Sequence, residues 1–211
     1  MMESITVSKE SFEFLKYMLF GSWGSIYIAA SERAYRDMCR TLRLEGSAST
    51  GLRDAVDGLL EKEISEVLDK GFSDQEQYDA WHRETCMKIQ QIYTENGIGM
   101  TVGQAQKWLN MTMKYLFVAN VPGTAEVFRF CHVPIDSYII NAVEKQLGVE
   151  RFDTPWSKIS DYETYIDFQK CLRKMLEGKA PLEWEFGTWL SMASGKKGAE
   201  HQKRSLIIRK E

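Results

Sequence analysis

The sequence predicts an all-α protein, a compact bundle of about seven to eight helices. Three sites place Ser or Thr three residues ahead of Glu or Gln, the reciprocal arrangement that satisfies the free N–H groups of a helix start: Ser73/Glu76, Thr101/Gln104 and Ser160/Glu163. Each opens a run of apolar residues with helical spacing. The composition agrees: 211 residues, 44% apolar and 27% charged, suffice for one core and exclude disordered, collagenous or coiled-coil chains.

In chain order, helices are expected at 9–20, 26–44, 53–70, 74–95, 102–118, 136–147, 161–177 and 181–193. Gly97 and Gly178 supply left-handed caps after the fourth and seventh. Pro181 opens the last, where its missing N–H costs nothing, and Glu183 follows in the positive first turn. The connecting loops read as GSASTG at 46–51, NGIGMTVG at 96–103, NVPGT at 120–124 and FDTPW at 152–156. Strand signals are confined to SITVS near the start and SLII near the end, which are expected to form at most a minor β-ribbon. Residues 1–195 are read as a single helical domain with a helix-hairpin-helix segment at about 75–148, and residues 196–211 as a basic tail.

The formal charge of -3 conceals an uneven distribution. Residues 196–211 hold six Lys/Arg against two Glu, a net +4, so residues 1–195 carry -7. Residues 53–84 carry ten acids against four bases, whereas 99–151 carry five bases against four acids. A polyanion would avoid the first segment and tolerate the second, while a protein partner could use the acidic one.

Cys39, Cys86, Cys131 and Cys171 form no CxxC pair and read as reduced thiols. Glu13, Lys16, Gly21 and Gly24 interrupt the apolar run from Phe12 to Ala30, and no basic n-region precedes it. Neither a signal peptide nor a membrane-spanning helix is expected, which favours a cytoplasmic location.

Chemistry concentrates in residues 93–149. Gly97, Gly99 and Gly103 let the backbone turn sharply and expose amides at the start of the next helix, a setting that suits a phosphate. On that helix Val102, Ala105, Leu109, Thr112, Met113 and Leu116 form the expected buried face. Gly103, Lys107, Asn110 and Lys114 form a separate stripe, by default a hydrated one because lysine is rarely buried. Asp136 reads as the N-cap of the helix beginning at SYIINAVEKQLG, with a second oxygen left to meet a reacting cation. His82/Cys86 and Cys131/His132 could chelate zinc, but neither pair has a finger spacing, and no metal or cofactor is expected.

The stretch NGIGMTVGQAQK at 96–107, followed by VPID at 133–136 and LG at 147–148, resembles the helix-hairpin-helix DNA glycosylase superfamily over about a quarter of the chain. The superfamily's Pro-Gly hairpin signature is absent, and the 29 residues from Lys107 to Asp136 are more like the archaeal 8-oxoguanine glycosylase branch. The resemblance implies a glycosylase-like fold, DNA as partner and an oxidised purine as target. It also implies Lys107 as Schiff-base nucleophile and Asp136 as the carboxylate that stabilises the sugar cation. Gly99, Thr101, Gly103 and Gln104 would then hold DNA backbone. Trp108, His132 and Trp156 would line the base pocket, with Phe128 as a further candidate and Lys114 as the lesser nucleophile. The competing expectation is a non-catalytic helical module for nucleic-acid binding or protein assembly, which the acidic balance favours.

Overall fold

A computed structural model describes residues 8–22, 24–42, 48–148, 152 and 154–208, with the side chains of 48–50 and 195–208 excepted. Among these residues the chain is all-helical, with no strand. Its α-helices are α1 (Lys9–Phe20), α2 (Ile26–Met38), α3 (Ala48–Lys70), α4 (Gln75–Thr94), α5 (Val102–Val118), α6 (Thr124–Val127), α7 (Ser137–Leu147), α8 (Tyr162–Met175) and α9 (Pro181–Ile208). Short 3-10 turns at Cys39–Thr41, Phe128–Phe130 and Trp156–Lys158 join them. No described helix is long and apolar enough to cross a membrane.

The core is built around α5, which packs most extensively against α2 and α4. Ala29, Ala30, Ser31 and Ala34 give α2 a face of small buried residues, so α5 approaches closely enough for Trp108 to be wholly enclosed. The Trp108 indole N–H donates to the Ser31 carbonyl at 3.1 Å and hydroxyl at 2.9 Å, while Tyr35 packs on its ring at 4.9 Å. From α3, Val56, Leu60, Ile64 and Leu68 enter the same core at four-residue steps. α1 stands apart: it has no buried residue and turns Phe14, Leu15, Tyr17 and Met18 to solvent.

Several elements differ from expectation for local reasons. The expected helix 26–44 ends its α-helical part at Met38 and tightens into the Cys39–Thr41 turn, and residues 43–47 lie outside the described ones. α3 starts at Ala48, so the last residues of the expected GSASTG loop are its first turn. The caps read as Ser73 and Ser160 fall one residue later, on Asp74 and Asp161, whose carboxylates accept amide protons at the next helix start. A charged acceptor facing the positive helix end outcompetes the adjacent hydroxyl. The Thr101/Gln104 capping box is present as read. SLII lies within the α9 backbone rather than in a strand, SITVS lies outside the described residues except for Ser8, and Ser8 caps α1. α9 also runs unbroken across 195/196, where the basic tail is expected to begin.

Two glycines are required by close approach. A Cβ on Gly103 would collide with the Trp156 carbonyl oxygen, because the Trp156–Lys158 turn lies directly on the start of α5. Gly123 combines a φ of +82° with the same constraint, since a Cβ there would collide with the Leu68 carbonyl oxygen.

Candidate functional site

The stripe on α5 is buried. Lys107, Asn110 and Lys114 are 5%, 1% and 9% exposed, and nearly every residue from Val102 to Lys114 is enclosed. The expected hydrated lysine face is therefore corrected: each lysine is inside because a carboxylate from a distant element meets it.

Lys107 donates from Nζ to Asp136 Oδ2 at 2.8 Å. The other oxygen of Asp136, Oδ1, accepts from the Tyr138 and Ile139 amides at 2.9 and 3.0 Å, capping α7. Cap and cation partner are thus the same residue acting through different oxygens. Gln106 fixes the approach to this pair. Its Nε2 donates to the Gly103 and Ile135 carbonyls, and its Oε1 accepts from the Ile135 amide, so the segment before Asp136 is tied to α5.

One face-turn further along, Lys114 Nζ donates to Glu185 Oε2 of α9 at 2.5 Å. The same ammonium lies 4.7 Å from the centre of the Phe186 ring and 5.8 Å from that of Trp189. Burial raises the Glu185 carboxyl above its ordinary range, opposed first by Lys114 and then by Lys107. The two ion pairs therefore form one electrostatic group at the junction of α5, α7 and α9.

A second polar group flanks the first. Asn110 accepts from His82 Nε2 at 3.0 Å and donates to the Tyr165 hydroxyl at 2.9 Å. That assignment leaves His82 Nδ1 to accept from Tyr162, at 2.8 Å. Similarly, His132 pairs through Nδ1 with Tyr165 and through Nε2 with Asp79, each at 2.8 Å. Arg173 closes the group with a 2.7 Å contact to Asp79. Burial depresses both histidines, and their rings lie 4.5 Å apart. At Asp79 burial acts upward, but hydrogen bonding and charge from His132, with Gln75 and Arg173, prevail and hold the carboxyl at about 2.

The other residues singled out from sequence are engaged elsewhere. The Gly103 amide, expected to face a phosphate, donates to the Ile159 carbonyl at 2.9 Å. Thr101 donates to the Ser157 carbonyl, and Gln104 caps Thr101 and reaches the Thr41 carbonyl. The turn at 156–158 occupies the surface these groups would have offered; Gly99 alone of the four is exposed. Trp108 is core, His132 belongs to the histidine group, and Trp156 is half-buried in the turn over Gly103. Phe128 stacks on Phe117, their centres 3.9 Å apart.

Gln106 and Glu185 are not anticipated from the sequence, and Asn110 is placed there on the lysine stripe without a partner. Gln106 and Asn110 carry a signal, an i, i+4 amide pair on one helix; Glu185, 71 residues from Lys114, carries none. Among the described residues no group of three or more His, Cys, Asp or Glu is placed to hold a metal. Burial pushes the Cys131 thiol up to about 12 and Cys86 higher, which removes both as thiolate nucleophiles. A cleft of about 340 Å³ opens between α4 and α8, lined by Asp79, Arg83, Tyr162, Glu163 and Lys170 among others, with neither Lys107 nor Asp136 in its walls.

Comparison of the chain with protein-family models, curated proteins and solved structures finds no match.

Proposed function

We propose that the protein is a DNA glycosylase/AP lyase that acts on an oxidised purine through a Schiff base at Lys107. The observation that carries this reading is the 2.8 Å contact between Lys107 Nζ and Asp136 Oδ2, with Asp136 held by its other oxygen at the mouth of α7. A nucleophile and a base must lie within hydrogen-bond reach of each other, and these two do.

With the damaged nucleotide extruded from the duplex, Lys107 passes a proton to Asp136 and attacks the sugar C1′. The C1′–base bond breaks and its electron pair leaves with the base, which is protonated as it departs. Asp136 hands the proton it took from Lys107 to the departing base, which restores the carboxylate charge that stabilises the cationic sugar. Opening of the C1′–O4′ bond, with protonation of O4′, then yields the imine. Elimination of the 3′ phosphate, with loss of a C2′ proton, completes the lyase step.

A second reading, a non-catalytic helical module for nucleic acid or protein, is favoured by a different observation. Thr101, Gly103 and Gln104 spend their polar groups within the chain. The acid excess at 53–84 would be its protein-binding surface, although part of it is already used: Asp79 is in the histidine group and Glu63 pairs with Lys88 at 2.9 Å.

Borohydride reduction in the presence of DNA carrying 8-oxoguanine or an abasic site separates the two. The lyase reading expects a covalent complex with the native protein. It expects none with Lys107→Ala or with Lys107→Arg, which keeps the ion pair but forms no Schiff base. Unchanged trapping in both variants removes Lys107 as nucleophile; DNA binding without any trapping leaves the non-catalytic module.

A further inference from the structure

α9 crosses the charged group in a way the lyase chemistry alone does not require. Its inward positions are Pro181, Leu182, Glu185 and Thr188, at helical spacing, while Leu190 faces solvent at 60% exposure. Glu185 reaches Lys114 on α5, and Trp189 lies 6.0 Å from Tyr138, two residues beyond Asp136. One turn of α9 therefore touches both the lysine helix and the helix start that Asp136 caps. Within electrostatic range of Glu185, the Lys107 side chain is 6% exposed and that of Asp136 15%.

We propose that α9 is a gate over the Lys107–Asp136 centre and that Glu185 is its latch, holding the gate shut through the Lys114 ammonium and the Trp189–Tyr138 contact. The inference rests on the reading that Lys107 meets a substrate, because an enclosed amine must be uncovered before any sugar carbon can approach it. An ion pair suits a latch. Two buried charges gain little over the same charges hydrated separately, so the closed pair is easily exchanged for solvated partners. Among the described side chains of α9 the buried apolar ones are Pro181 and Leu182, with Trp184 and Phe186 half-buried beside them. When the latch opens, Lys107 and Lys114 are left on one face of α5, two cations facing the gap. A phosphate group can then take the place of Glu185 at Lys114.

The test needs no DNA. Reductive methylation of the full chain with formaldehyde and cyanoborohydride, followed by peptide mass spectrometry, reads the accessibility of each lysine. In the native protein Lys107 is expected to react at least about tenfold more slowly than Lys70, whose side chain is 74% exposed. Glu185→Gln and Trp189→Ala are each expected to raise the Lys107 rate about tenfold. Cys86 and Cys131, which are buried, should remain closed to an alkylating reagent in both variants, separating local opening from general unfolding. Native Lys107 reacting as fast as Lys70, or either well-folded variant leaving its rate unchanged, overturns the gate. If Glu185→Gln fails to fold, Trp189→Ala decides alone, since its side chain is partly exposed. A failed borohydride trap with normal methylation contrast would reject the lyase and not the gate.

Discussion

Asp57 illustrates how a single side chain can work against its own fold. It lies on α3 with 3% exposure, accepts from the Ser31 hydroxyl, and burial lifts its carboxyl to about 6. The Ser31 hydrogen bond and the Arg53 charge lower that value by less than burial raises it. In the unfolded chain the group ionises at about 4, so stability is full below that pH and is lost as pH rises towards and past 6. Asp57→Asn keeps an oxygen for Ser31 and removes the charge. Denaturant titration at about pH 8 should find it more stable by on the order of 2 kcal/mol, and the gain should vanish at about pH 4. None of this was legible in the sequence, where Asp57 is one acid among many on an acidic helix. Lys107 and Asp136 were legible as a pair only through the resemblance that joins two separate stretches, 96–107 and 133–136. Their burial was not, since the ties that close this part of α5, Gln106 to the Ile135 carbonyl and Lys114 to Glu185, form only after folding.

Caps were the most readable features of the helices, because they depend on chemistry within four residues. Thr101 and Asp136 sit where the sequence places them, while Ser73 and Ser160 yield to the aspartates beside them. Contacts between helices left weaker traces. Gly103 looks like part of a phosphate-binding hairpin, yet what demands glycine is the Trp156 carbonyl pressed against its Cα. Gly103→Ala should therefore cost at least about 2 kcal/mol, read from the thermal midpoint, by lifting the 156–158 turn from α5. Gly99→Ala, at an exposed position with open space for a methyl group, should cost little. A DNA-backbone role would rank the two differently, since loss of affinity without loss of stability would follow substitution at Gly99.

The histidine group sets the molecule's response to acid. Burial depresses His82 and His132 in the folded chain below the pH of about 6.5 at which each takes a proton when unfolded. The unfolded state then binds more protons, so their contribution is present above that pH and is lost as pH falls below it. Asp57 acts oppositely between about 4 and 6, and the two effects partly offset. Thermal melts from about pH 7 to about pH 4.5 should accordingly show a steeper decline in Asp57→Asn than in the native protein. His132→Gln should make the decline shallower, after an initial loss of the Asp79 contact.

α5 is enclosed on nearly every side, and α2, α4, α6 and α8 lean on it. No part of it can come loose while its neighbours stay in place. Its backbone amides should accordingly be the last in the molecule to exchange with deuterium, through global opening only, while those of α1 exchange first. In such an experiment α9 would report the latch directly: its first turns should exchange early in Glu185→Gln while α5 retains its protons.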